Sequence, residues 1–158
     1  VAGTIFLESL ARPLLVIHAL VAFAALGATT HLTVISVGLW RGKVHLSRLA
    51  KVHAQVIGAT FAACFVLGLL VYPAYRYYVR GLYFDRYAHW ASSLFDLKEN
   101  LAALGLPLSV ALFSLGRRLD LKERTAALPL VVFLSVALWL ITVFAVVSGL
   151  VVTSAKGL

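Results

Sequence analysis

His31 and His53 stand eleven residues to either side of Gly42. If Gly42 is the tip of an antiparallel helical hairpin, the two lie at one depth, each about 16 Å from the turn at about 1.5 Å per residue. Rings at matched depth on successive helices face one another, and the chemistry open to such a pair is metal ligation. A neutral imidazole is tolerated in hydrocarbon where a charge is not, and an imidazole from each of two helices is the axial set of a b-type haem. His31 and His53 are therefore the expected ligands. At helical spacing from His31 stand Ala24, Gly27, Ala28 and Gly38, and from His53 stand Ala50, Thr60 and Cys64, small enough to admit a flat macrocycle. Val56 and Ile57 are bulkier. Lys43, Arg48 and Lys51 lie toward the nearby surface, where they would pair propionates. The competing structural reading is that the small residues serve helix packing and each histidine bonds a neighbouring hydroxyl or carbonyl.

His18 precedes His31 by thirteen residues, and at about 100° per residue the two point about 140° apart, so one groove cannot serve both. Any second site must face another helix. With the second hairpin tip placed near Asp120, the level of His18 on the third span is close to Asp96, and His89 lies about 10 Å farther out. A second haem, or a quinone, held by His18 and His89 requires a tilt that removes this offset. His45 reads as an exposed loop residue.

His89, Ser92, Ser93, Asp96, Glu99 and Asn100 follow helical spacing and share one face, with Lys98 pointing elsewhere toward the surface or an ion-pair partner. Tyr83, Tyr87, Trp90 and Phe95 are placed to surround an entrance. Carboxylates within a bilayer mark a proton path, a cation site or a polar headgroup. Beside a haem the natural substrate is a quinone, whose reduction takes up two protons. Asp96, Glu99 and Asn100 are the expected quinone and proton residues. The alternative is a solvated helix start, which would leave only about 15 residues of span from Leu101 to Leu115 against a requirement of about 20.

These residues must be positioned by membrane helices. The 158-residue chain has a mean hydropathy of +0.98, with 62% hydrophobic and 13% charged residues, gathered in long apolar blocks rather than alternating runs. The expected architecture is all-α: one transmembrane domain over 1–158, an up-down-up-down four-helix bundle with spans at about 14–39, 49–72, 87–115 and 127–152. Residues 1–12 read as a short interfacial turn, and Pro73–Arg80 as an aromatic and basic stretch beyond the bilayer. No removable signal peptide is expected. With no methionine and only Cys64 as a thiol, ligands come from histidine, carboxylate or that cysteine.

The net charge of +8 sits where apolar blocks end, which suits lipid headgroups and topology rather than nucleic acid. Arg41, Lys43, Arg48, Lys51, Arg117, Arg118, Lys122 and Arg124 at the hairpin tips outnumber Arg12, Arg76, Arg80, Arg86 and Lys156 at the other end. The tips are expected in the cytoplasm and the termini outside a bacterial-type inner membrane. Nucleophilic catalysis lacks a Ser or Cys partner for any histidine in the sequence pattern, and no phosphate-binding glycine loop is present.

With Ala28-Thr-Thr-His31 in span one and Lys51-Val-His53 in span two, the whole chain resembles small membrane-embedded b-type cytochromes that anchor a larger redox complex. A more remote likeness is to copper-resistance membrane domains and HemJ-type protoporphyrinogen oxidases, in which His18 and Lys98 would be the counterparts of a span-one histidine and a later lysine. The resemblance implies haem b bound by His31 and His53, with a further site for haem or quinone, and electron transfer between a quinone pool and a partner redox protein. Two readings of other classes stand beside it. One is a cofactor-free assembly subunit that uses the Tyr72–Tyr87 segment to hold a partner. The other is a proton or metal-ion transporter working through the third-span stripe.

Overall fold

A computed structural model describes residues 5–118 and 127–158, and these are all-helical. Four helices are long and apolar enough to cross a membrane. They are α1 (Ala11–Trp40), α2 (Ser47–Tyr75), α3 (His89–Arg118) and α4 (Leu128–Ala155), of 28 to 30 residues each. At 1.5 Å per residue they run to about 42–45 Å, so their ends pass beyond a hydrocarbon layer of about 30 Å. The helices form a closed ring in which α1 packs on α2, α2 on α3, α3 on α4 and α4 on α1. The second hairpin tip, placed near Asp120 with Lys122 and Arg124, lies outside the described residues.

The sequence dictates helices here because hydrocarbon offers no partner for a backbone amide, and a helix satisfies its own. Hydroxyls follow the same rule. Thr29, Thr30, Thr60, Ser109, Ser135, Thr142 and Ser148 each donate to a carbonyl three or four residues back. Two hydrogen bonds tie α1 to α4: Thr33 Oγ1 donates to the Ser135 carbonyl at 3.1 Å, and Trp139 Nε1 donates to Thr30 Oγ1 at 3.0 Å.

The first tip is a helix stop of defined geometry. Gly42 has φ 93°, its N–H bonds the Leu39 carbonyl, and the Lys43 N–H bonds the Gly38 carbonyl. This is the Schellman pattern, which requires a left-handed residue and therefore favours glycine. A short 3₁₀ turn, Val44–Leu46, then leads into α2.

At the opposite end the second helix continues past the apolar block that closes at Tyr72. It passes through Pro73 and continues as a nine-residue π-helix, Arg76–Phe84, and a single turn, Asp85–Tyr87, before reversing into α3. The expected interfacial turn at the N-terminal end is a 3₁₀ turn over Glu8–Leu10, tied to the π-helix by the Tyr78 hydroxyl, which donates to Glu8.

Small residues let the interior close. A Cβ added at Gly116 would fall 2.6 Å from the Ala54 Cβ, and the Lys51 backbone lies just beyond. Nothing stands within 4 Å of a Cβ added at Gly27. Gly116→Ala should therefore destabilise the fold by about 1–3 kcal/mol through overpacking of α2 against α3. Gly27→Ala should leave it equal or up to about 1 kcal/mol more stable through helix propensity. Thermal unfolding in detergent, followed by circular dichroism, gives the order of the two.

Candidate functional site

His31 and His53 meet, as their equal distance from Gly42 requires. Their ring centroids are 5.7 Å apart, with 55° between planes. His53 Nδ1 lies 3.0 Å from the Leu49 carbonyl one turn back. A carbonyl only accepts, so Nδ1 is the donor in this contact. The two rings form a tilted aromatic pair across the α1–α2 seam.

The surroundings constrain where a macrocycle can go. His31 is exposed and His53 half-buried, so the pair sits on the outer side of the α1–α2 seam. On the inner side of the same helices Leu32 and Ile57 are buried in one apolar cluster and close the seam. A haem does not fit inside the bundle at this position. The open side is outward, where Ala24, Ala28 and Thr60 stand among the exposed Leu20, Val34 and Val56. Lys43 and Arg48 are exposed at the tip nearby, whereas the Lys51 backbone lies against Gly116 of α3, on the side of α2 away from His53.

A second cluster lies inside the bundle, in the half away from the Gly42 tip. His18 Nδ1 is 3.0 Å from the Cys64 carbonyl and 3.7 Å from its Sγ. The ring also covers Gly68, where an added Cβ would meet Cε1 at 3.3 Å. Because a carbonyl only accepts, His18 Nδ1 is the donor to Cys64. Across the ring of helices, Lys98 of α3 is close enough to interact electrostatically with His18 and Cys64, and its Nζ stands 4.9 Å above the Phe95 ring. The expectation that Lys98 reaches away to the surface therefore gives way to an inward placement. His18 has Cys64 as its partner, while His89 is exposed at the first residue of α3.

The third-span stripe divides. Ala91, Ser92 and Phe95 are buried, with Lys98 and Glu99 half-buried beside them. Ser93 and Asn100 are exposed. Asp96 is held by Arg80 of the π-helix in a bidentate pair, Nη1 to Oδ1 at 2.5 Å and Nη2 to Oδ2 at 2.9 Å. Arg80 Nε also approaches Asp85 at 3.8 Å, and the Ser92 hydroxyl donates to Asp85 at 2.5 Å. Glu99, beside Lys98 in the chain, is half-buried on the same part of α3. Polar groups thus occur both in the interior, at His18 and Lys98, and at the π-helix end, where Arg80 joins Asp96 and Asp85.

Aromatic rings line this path. Tyr75 stacks on Phe95 at 5.0 Å, Tyr72 on Phe95 at 6.4 Å, and Tyr75 meets Phe84 edge-on at 6.4 Å. The Tyr75 hydroxyl is buried without a hydrogen-bond partner. Among the described residues no group of three or more His, Cys, Asp or Glu side chains converges on a metal-sized point.

The His18–Cys64 contact was within reach of the sequence, since the two are placed nearly symmetrically about the same tip as His31 and His53. No protein-family profile, curated protein or solved structure matches the chain.

Because Arg80 serves both Asp96 and Asp85, Arg80→Ala should cost about 1–2 kcal/mol of stability, within the range for partly exposed, bidentate pairs. Arg86→Ala, at an exposed neighbouring position, should cost less than about 0.5 kcal/mol. Adding Asp96→Ala to Arg80→Ala should bring little further loss, and a double-mutant cycle by thermal unfolding measures this.

Proposed function

We propose that the chain is an electron-transfer subunit of the membrane, holding haem b between His31 and His53 and passing electrons between a quinone and a partner redox protein. The observation that carries this reading is the ring pair itself, 5.7 Å apart, with His53 Nδ1 bonded to the Leu49 carbonyl. Haem would supply one-electron chemistry. The protein's part would be to hold the group through His31 and His53, presented by adjacent helices.

The quinone is assigned to the interior cluster. Its carbonyl would accept from the Lys98 ammonium, and the quinol hydroxyl would donate to His18 Nε2. Glu99 and the Asp96–Arg80–Asp85 group supply the route by which protons reach the aqueous surface at the π-helix end. His89 and Asn100, exposed on α3, fall at the mouth of that route rather than in the quinone site. In this orientation the hairpin tips with Lys43, Arg48 and Arg117 face the cytoplasm, and the proton route opens outside a bacterial-type inner membrane.

A dithionite-reduced minus oxidised spectrum with pyridine haemochrome quantitation, on protein made with a haem supply, tests the reading. Wild type and His18→Ala should both show a low-spin b-type α-band, at one haem per chain. His31→Ala and His53→Ala should each lose it, and His18→Ala should slow quinol oxidation at least tenfold. Unchanged spectra in both ligand variants would remove His31 and His53 as ligands. A featureless wild-type spectrum would leave the cofactor-free assembly role.

A further inference from the structure

At the end opposite the Gly42 tip, a cavity of about 470 Å³ lies between the start of α1, the junction of α2 with the π-helix, and the chain after α4. That volume falls among the about 300–1,000 Å³ of small-molecule sites. Buried Ala11 and Ala74 lie at its wall, and charged side chains of both signs line it. Arg12 and Lys156 are the cations. Among the described residues neither has a carboxylate within 4.0 Å. Lys156 Nζ stands 5.9 Å from the centre of the Tyr83 ring, a contact that uses none of its three N–H donors. Glu8 is the anion; its Oε1 accepts from the Tyr78 hydroxyl, which leaves Oε2 for another donor.

We infer that this cavity binds the headgroup of a phospholipid whose phosphate diester carries a primary ammonium, as ethanolamine does. The phosphate would lie between Arg12 and Lys156, and the ammonium against Glu8. A purely anionic headgroup would set like charge against Glu8. A quaternary ammonium has no N–H to give it. Depth and shape favour a lipid over a soluble phosphate. Arg12 is the second residue of α1 and Lys156 directly follows α4, helices of about 42–45 Å whose ends reach the headgroup layer. Val16, Leu20 and Phe23 follow Arg12 at i+4, i+8 and i+11, so they continue its face of α1 toward the bilayer centre. All three are exposed, and together they form a track for an acyl chain directly below the cavity.

The inference uses neither haem nor quinone, so it can fail separately from the proposed function. The test is native mass spectrometry of the full chain released from nanodiscs that mix phosphatidylethanolamine, phosphatidylglycerol and phosphatidylcholine of one acyl composition. The ethanolamine lipid should be retained at least about fivefold over the other two. Arg12→Gln combined with Lys156→Gln should lower its retention at least about tenfold. Glu8→Gln should abolish its advantage over phosphatidylglycerol, while Arg86→Gln, at an exposed cation of the same end outside the cavity, should change neither. In the unsubstituted chain, an ethanolamine lipid with a photoreactive acyl chain should label Val16–Phe23 in preference to the exposed Leu97 and Leu104 of α3. Equal retention of the three lipids, retention indifferent to loss of both cations, or equal labelling of α1 and α3 would each overturn the site. If the double variant fails to fold, the labelling pattern decides. Soluble glycerophosphoethanolamine bound as tightly as the lipid would overturn the membrane as the source of the ligand.

Discussion

Everything in the α1–α2 half of the molecule depends on the turn at Gly42. Its positive φ and the two backbone hydrogen bonds to Leu39 and Gly38 end α1 at one residue, and α2 starts five residues later. In hydrocarbon neither helix can slip by breaking backbone bonds, because no water replaces them. The turn therefore fixes depth along the whole hairpin. Two side-chain pairs inherit that register: His31 with His53, and His18 with Cys64 some twenty Å farther along, by the rise of about 1.5 Å per residue. One sharp stop thus sets the level of each of the two functional clusters.

The two clusters differ in what encloses them. His18, Cys64 and Lys98 are gathered inside the ring of helices, where the carbonyl of Cys64 and the face of Phe95 compensate polar groups that lipid would penalise. His31 and His53 lie outside it, above a seam that Leu32 and Ile57 close. Charge separates the same way. The ionic residues Asp85, Arg80, Asp96, Lys98 and Glu99 all belong to the end opposite the Gly42 tip. The interior of one half thus holds charged and polar groups, and the exterior of the other holds a histidine pair.

Much of this was legible in the sequence, and what was not has identifiable causes. The four spans follow from block length and hydropathy, and the meeting of His31 and His53 follows from counting residues to a glycine. The same count reaches His18 and Cys64, but a lone cysteine in an apolar block carries no chemical flag, so attention goes to His89 instead. On α3 the shared spacing of His89, Ser92, Ser93, Asp96, Glu99 and Asn100 marks one polar face. Packing divides that face: Ala91 and Phe95 turn inward with Ser92 beside them, which leaves Ser93 and Asn100 outside and carries Lys98 in. The π-helix has no periodicity that a hydropathy pattern can register. Without it the Arg80–Asp96 pair is invisible, because wider turns decide which side of the chain Arg80 leaves from.

The small residues make the final distinction. Those whose absent side chains are already filled look inward. Phe113 occupies the space at Gly58, Phe61 that at Gly105, and Ala54 that at Gly116. Gly27, by contrast, has open space before it, and Ala24, Ala59 and Ala63 are exposed on the same two helices. Lipid tails gain nothing from a groove of small side chains that they would not gain from leucine, so the inner set explains the fold while the outer set does not. The outward rings of His31 and His53 and the carboxamide of Gln55 lie on those same helices, set among the exposed Val34, Val52, Val56 and Val66. The outer small residues of α1 and α2 therefore interrupt a face that is otherwise as apolar as that of α4, and they leave its histidines and glutamine accessible rather than packed.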